Sequence, residues 1–386
     1  MIKQIRPRNI LSFGPTSEAL ELGGLNVFVG ANASGKSNLI EVIGLLRSSP
    51  RELTVPIREG GGIGAWLWKG GGDATAADVE VVIECAGVSS PLRHRLAFAE
   101  KGQRFEIVDE RVENEQALPG YEKPYFYFGY ENGWPMLNSG GSKRKLERFA
   151  INPEKSILAQ RRDPDHYPEL TRLAEFYEGV RLYRDWPFGR SADVRRGQAA
   201  DLHGAFLAED ASNLALVLSA LRGKPDSKLA LVSDLRELYD GVLDYEIIVE
   251  GGKAQLYLNE GNRMIPATRL SDGTLRYLSL LSVLHHPTPA PLIAIEEPEL
   301  GLHPDIIPRV AELLRDAAQR TQLIVTTHSS ALVDALSDTP ESVVVTEKKD
   351  GATTFERLDR RDLGVWLDKY SLGELWARGD IGGTRW

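Results

Sequence analysis

The eight residues Gly30-Ala31-Asn32-Ala33-Ser34-Gly35-Lys36-Ser37 constrain this chain more than any other stretch. They meet every position of the pattern glycine, any four residues, glycine, lysine, serine. Such a loop needs a strand to deliver it and a helix to leave it, and both flanks comply. Leu25-Asn26-Val27-Phe28-Val29 reads as a short buried strand. Residues 37–46, apolar at Leu39, Ile40, Ile43, Leu45 and Leu46, read as a helix packed on a sheet. The glycines let backbone N–H groups face phosphate oxygens, Lys36 neutralises their charge, and the Ser37 hydroxyl ligates Mg2+. Asn32, Ala33 and Ser34 form the turn of the loop, and Asn38 follows it into the helix. Alone, the loop specifies a phosphate site for ATP or GTP, with a glycine-rich turn of accidental match as the bland alternative.

A second apolar run, Leu292-Ile293-Ala294-Ile295, ends in Glu296-Glu297. Ligands of open α/β sheets sit at the carboxyl ends of strands, where these acids would lie. Glu296 would then bind Mg2+, directly or through water, and Glu297 would orient and deprotonate an attacking water. The bland reading is two solvated acids opening a loop. Leu323-Ile324-Val325-Thr326-Thr327-His328-Ser329 repeats the logic, and His328 is placed to hydrogen-bond a γ-phosphate, although a lone histidine is more often structural. His303, in Gly301-Leu302-His303-Pro304, is a weaker candidate, and His285 and His286 have no such placement. Ser271, before Asp272-Gly273-Thr274, is either a plain helix N-cap or, with Gly273, an anion site completing the nucleotide pocket of a second subunit.

Between these motifs the pattern changes twice. Residues 79–85, 95–99, 105–108 and 125–130 are strand-like, and Gly60-Gly61-Gly62 and Gly70-Gly71-Gly72 punctuate the approach to them, which predicts an antiparallel β-region. From about 141 to 245 the chain turns helical and charged, as in 169–177 and 211–221, before a hairpin of 245–250 and 254–258 around Gly251-Gly252. Then helices (275–284, 308–318, 331–336) alternate with strands (292–295, 323–326, 342–346), which predicts a mostly parallel sheet.

Composition narrows the class further. Over 386 residues, 42% hydrophobic and 26% charged content suits a folded domain rather than a disordered one. A net charge of -9 argues against a surface basic all over, though not against a local basic stripe. Cys85 stands alone, so neither a disulfide framework nor a zinc hook can form within the chain. No secretory segment or membrane-length apolar run is visible, so the expectation is a soluble, cytoplasmic protein without a membrane partner.

The order phosphate loop, Ser-Asp-Gly-Thr, apolar strand with Glu296-Glu297-Pro298-Glu299, then Thr326-Thr327-His328-Ser329 resembles the ABC-type ATPase head. Within it, the chain is similar to the RecF/SMC-like and OLD-like branch, the AAA_21 group of AAA family ATPases. The resemblance covers about residues 1–50 and 265–350. It implies an α/β P-loop NTPase fold of ABC-ATPase type: a mixed, mostly parallel sheet flanked by helices, with an antiparallel β-region and an inserted helical lobe. It implies residues 1–140 as N-terminal nucleotide-binding lobe with the β-region, 141–264 as a Q-loop and helical insertion, and 265–386 as C-terminal ATPase lobe. The first and last would form one discontinuous domain.

By the same resemblance, Ser156-Ile157-Leu158-Ala159-Gln160-Arg161-Arg162 looks like a Q-loop, with Gln160 on Mg2+ and the lytic water, against the bland reading of an exposed helix-edge glutamine. Arg8 and Asn9 look like residues that flank the nucleotide. Glu296 stands where many ABC heads have Asp, and Ser-Asp-Gly where many have Ser-Gly-Gly. The chain has no long coiled coil between the head halves, and its tail lacks the acidic cluster of the Toprim nuclease fused in full OLD proteins. The resemblance implies ATP and Mg2+ as cofactors, an ATP-dependent homodimer, and a setting in DNA maintenance or antiphage defence beside a separately encoded nuclease. Lys143-Arg144-Lys145, Arg161-Arg162 and Arg195-Arg196 are candidate DNA contacts, each with a solvated helix face as its alternative. A nucleotide-gated scaffold with negligible turnover and a transporter ATPase subunit are the competing functions.

Overall fold

The structure, a computed structural model, describes residues 1–71, 76–139, 142–147 and 151–382. Gly72 and the expected boundary at 140/141 lie outside the described residues. The chain divides into two compact units. One comprises Met1–Val180, Glu341–Asp359 and Gly379–Trp386, and the other Arg181–Pro340 and Arg360–Arg378.

In the first unit the strand Leu25–Val29 lies parallel to Val343–Lys349, which turns back antiparallel as Ala352–Arg357. The two-residue turn between them has Asp350 at φ 51° and Gly351 at φ 82°, the left-handed pair that lets a tight hairpin follow the twist of its strands. Val27, Phe28 and Val29 are all fully buried, so the strand reads as a continuous apolar run rather than an alternation. Phe28 meets the ring of Phe355 edge-on at 5.5 Å, and Phe13 packs on the same ring at 5.6 Å. Each such side chain contributes about 1.5–3 kcal/mol relative to exposure. The helix Lys36–Ser48 buries Leu39, Ile40, Ile43 and Leu46 along one stripe, the 3.6-residue period made physical.

The same unit carries an antiparallel sheet of eight strands, in the order Leu20–Glu21, Ile2–Arg8, Ala76–Ile83, Leu92–Lys101, Arg104–Asn114, Phe126–Glu131, Trp134–Ser139 and Ser142–Lys145. Its inward residues alternate with outward ones: Leu92, His94 and Leu96 are buried, while Arg93 and Arg95 reach the surface. His94 has its two ring nitrogens 2.8 Å from the Tyr177 hydroxyl and 3.3 Å from Glu110. Glu110 in turn accepts from the Ser156 hydroxyl at 2.5 Å and the Ile157 amide at 2.8 Å. This buried network fastens the start of the short helix Ile157–Gln160 to the sheet.

In the second unit the strands Arg181–Tyr183, Leu292–Glu296 and Gln322–Thr327 run parallel. Register pairs Glu296 with Thr326, so the acidic end of one strand and the threonine end of the next arrive together. The helix Ile307–Ala317 buries Ile307, Val310, Ala311, Leu314 and Ala317, an apolar stripe that faces inward. Buried Asp234, from the helix Pro225–Leu238, accepts from His285 at 2.5 Å and from Arg309 Nε at 2.9 Å, tying three helices with one carboxylate. The hairpin of Asp244–Glu250 and Lys253–Asn259 is present and turns through Gly251 and Gly252, both with positive φ. Parallel α/β packing in one unit and an antiparallel sheet in the other make the chain a mixed α/β protein, as the sequence led one to expect.

Candidate nucleotide site

In the first unit, residues 30–37 form a tight cradle. Gly30 (φ 154°), Ala33 (φ 63°) and Gly35 (φ 111°) depart from ordinary L-residue backbone. A Cβ on Gly30 would overlap the Thr346 carbonyl, and one on Gly35 would overlap the Thr353 hydroxyl, so glycine is required at both. Thr353 Oγ1 donates to the Ser34 carbonyl at 2.7 Å, which pins the far side of the loop. Lys36, 6% exposed, donates to the carbonyls of Gly30 at 2.8 Å and Ala31 at 3.0 Å, so its ammonium arches over the loop. Gly35 provides no side-chain cap to the helix it opens. The backbone N–H groups of the first turn thus face the cradle, a concavity that suits a phosphate.

Ser37 lies one residue further on the same helix, followed by Asn38, and Asn32 completes the turn. Among the described residues no group of three or more His, Cys, Asp or Glu side chains could hold a metal ion. Mg2+ commonly takes one or two protein oxygens together with phosphate oxygens and water. The Ser37 hydroxyl in the first unit is a donor of that kind, and in the second unit so, separately, is the Glu296 carboxylate.

Arg8, Asn9 and Gln160 are each engaged locally. Arg8 grips Asp78 with Nε at 2.7 Å and Nη2 at 2.5 Å, and Arg95 holds the same carboxylate at 3.0 Å. Burial pushes the Asp78 carboxyl upward, but the Arg8 hydrogen bonds and the two positive charges outweigh it and leave it below its usual value. Asn9 takes a left-handed turn at φ 53°, its carbonyl accepting from the Trp68 amide at 3.1 Å. The Gln160 amide donates to the carbonyls of Asn152 at 3.1 Å and Lys155 at 2.6 Å and accepts from the Asn152 N–H at 2.8 Å, closing the turn before its own helix.

In the second unit the acidic strand and the histidine strand deliver Glu296, Glu297 and His328 to one place. Glu296 accepts from Arg184 at 2.9 Å. Glu297 takes φ 45°, a left-handed conformation strained for a glutamate, and is held there by its N–H to the Thr326 carbonyl at 2.9 Å. Its carboxylate stands 3.9 Å from His328 Nε2. Behind them Glu299 is buried, with Thr327 Oγ1 donating to its carboxyl. Burial, with the neighbouring Glu297 charge adding to it, raises Glu299 above the usual carboxylate range.

A separate cavity of about 480 Å³ in the first unit borders Thr353, and one of about 790 Å³ in the second is lined by Ser271, Gly273, Gly301 and His303. Ser271 caps the helix Asp272–Leu284, accepting from the Thr274 N–H at 3.0 Å. Its entry is braced by Arg195, whose Nη1 donates to the carbonyls of Ala267 at 3.0 Å and Leu270 at 2.6 Å, and which also pairs with Asp272. Arg195 is 5% exposed, which corrects the expectation that it contacts DNA: its guanidinium is committed inside the unit. Arg162 pairs with Glu178 at 2.5 Å, and Lys143 with Glu131 at 2.8 Å.

Sequence reasoning missed Glu299, Thr327, Arg184 and Thr353. Glu299 stood inside a quoted motif, so a third acid after a buried strand was a usable signal. Thr353 lies more than 300 residues from the loop it pins, and no local pattern points to it.

Residues 25–334 match the family described as "AAA domain, putative AbiEii toxin, Type IV TA system" (AAA_21). No curated protein matches the chain. Among solved structures the fold is similar to an Smc head bound to the C-winged helix domain of ScpA, with TM-score 0.57 and 14% identity over 94% of this chain and 99% of that one. It is also similar to the Pyrococcus furiosus Smc head with an extended coiled coil, bound to the C-terminal domain of ScpA, with TM-score 0.58 and 15% identity over 95% and 98%. At such identities the likeness is one of fold. The family match over most of the chain places this protein in the AAA_21 family of AAA-domain proteins, with a fold similar to that of an Smc head.

Proposed function

We propose that the chain is a Mg2+-dependent ATP hydrolase that works as an ATP-gated dimeric switch. The observation that carries this reading is the cradle of residues 30–37, with two positions closed to any Cβ and Lys36 drawn over the loop carbonyls. In it, backbone N–H groups and Lys36 hold the β- and γ-phosphates, with Asn32, Ala33, Ser34 and Asn38 shaping the loop. Ser37 and Glu296 are the residues that would hold Mg2+, which would supply charge neutralisation when bound. Glu297 orients and deprotonates the water, and His328, 3.9 Å away, hydrogen-bonds the γ-phosphate. Ser271 and Gly273 line an open cavity suited to a phosphate held by the partner copy, so that ATP closes the dimer and hydrolysis reopens it. The setting we favour is DNA maintenance or antiphage defence with a separately encoded nuclease, in the cytoplasm.

Lys36→Ala tests the core of this reading. Binding of a fluorescent ATP analogue and phosphate release should both fall to background, and normal values for either would overturn it. One observation favours a second reading, a nucleotide-gated scaffold with negligible turnover. The Gln160 amide is spent on its own turn rather than presented to a metal. Phosphate release by the wild-type chain, with and without DNA, separates the two.

A further inference from the structure

The strand ladder between the acidic strand and the histidine strand ends at the pair Glu296 and Thr326. Beyond that pair the chains part, one into the turn that carries Glu297 and the other into the loop that carries His328. One further backbone bond follows, from the Glu297 N–H to the Thr326 carbonyl at 2.9 Å. What spans the turns after it is a side-chain clasp. Thr327, fully buried, donates its hydroxyl to the Glu299 carboxyl and accepts the Ser329 N–H at 2.9 Å.

Glu299 is therefore bound directly to Thr327 on one side of His328, and through that hydroxyl to Ser329 on the other, and sits two positions after Glu297. Its own turn is closed by the Leu300 N–H to the Glu297 carbonyl and the Leu302 N–H to the Glu299 carbonyl, both at 3.0 Å. The other carboxyl oxygen, Oε2, is buried and finds no hydrogen-bond partner among the described residues. A buried carboxyl with half its capacity unused is expensive to keep, and apolar side chains of similar size would fill the space more cheaply. That cost marks a position where geometry, not packing, is being maintained.

We propose that Glu299 is a positioning residue that clasps the His328 loop through Thr327 and thereby sets the 3.9 Å separation of His328 and Glu297. The inference rests on the hydrolase reading above for its functional consequence, but not for its structural one. Glu299 itself takes no proton from water and touches no phosphate; its work is done by accepting a hydrogen bond. A glutamine, whose amide oxygen accepts the same bond, should therefore stand in for it, whereas alanine should not.

The test compares Glu299→Ala, Glu299→Gln and Thr327→Val, the last removing one hydroxyl from a fully buried site at nearly constant volume. The first readout needs no turnover: the His328 imidazole cross-peaks of the nucleotide-free chain, assigned by their loss in His328→Asn. They should move in Glu299→Ala and Thr327→Val and stay near the wild-type position in Glu299→Gln. The second readout is steady-state hydrolysis. The kcat of the Ala and Val variants should fall on the order of 10–100-fold, as for a misplaced catalytic group. Their KM should move by less than about threefold, because binding is untouched, and Gln should restore most of kcat. Unmoved His328 peaks in both Ala and Val variants would sink the proposal, as would a Gln variant as damaged as Ala, which would assign Glu299 a charge-based role. A wild-type chain without turnover would refute the hydrolase reading instead, while the imidazole peaks still decide the clasp. If Glu299→Ala does not fold, Thr327→Val and Glu299→Gln decide the matter.

Discussion

Asp78 shows how one residue can tie three neighbouring strands together by charge. Two guanidiniums, from Arg8 and Arg95, converge on its carboxylate, and their pull leaves it below the usual range despite burial. A carboxylate depressed in the folded state contributes stability that is present above its unfolded pKa of about 4 and is lost as pH falls through the folded value. Asp78→Asn should therefore cost about 1–3 kcal/mol at neutral pH, since it leaves two cations short of a partner. Thermal melts at neutral pH and at progressively lower pH would show it: the gap between variant and wild type should close on the acid side. An equal gap at every pH would mean the residue acts through packing. From sequence, Arg8 looked like a residue beside the nucleotide; the structure adds a partner 70 positions away, which no local pattern could reveal.

At the scale of elements, the phosphate loop joins a strand to a helix through residues that only glycine can occupy. Gly30→Ala puts a methyl group onto the Thr346 carbonyl and asks alanine to adopt a strongly positive φ. The expected cost is on the order of 2 kcal/mol or more, with loss of binding of a fluorescent ATP analogue. A variant that melts and binds like wild type would show the strand ends to be more yielding than they look. The helices and strands around the loop were largely readable. The expected helix 275–284 appears as Asp272–Leu284 and the expected strand 323–326 as Gln322–Thr327. Strong periodicity and a run of β-branched residues each leave one choice. Short elements were not readable: Arg181–Tyr183, three residues beside the acidic strand, is a strand because Leu292–Glu296 offers it an unpaired edge.

For the whole molecule, the expected outcome of blocked hydrolysis is a trapped dimer. Glu297→Gln removes the base while leaving the cradle intact, so ATP should accumulate on the chain and hold two copies together. Light scattering with ATP and Mg2+ should then report roughly twice the 42.7 kDa chain mass. A mass that stays at one chain across saturating ATP would refute the switch. The same experiment with Lys36→Ala should give a monomer throughout.

The sequence by itself determined the phosphate loop, the family and most of the regular elements. Those depend on spacing along the chain: eight consecutive residues for the loop, and periods of two or 3.6 for strands and helices. The tertiary structure decided which charges are committed and which side chains work together. Arg195 is a buried brace rather than a surface contact, and Thr353 pins a loop 319 residues before it. Glu299 became legible as a clasp once Thr327 stood against it. Such relations follow from strand register and burial, which bring distant residues within hydrogen-bond reach in an environment where an unmet polar group is costly. The cradle of residues 30–37 belongs to both accounts: its pattern is written in the chain, and the need for its glycines comes from Thr346 and Thr353 pressed against it.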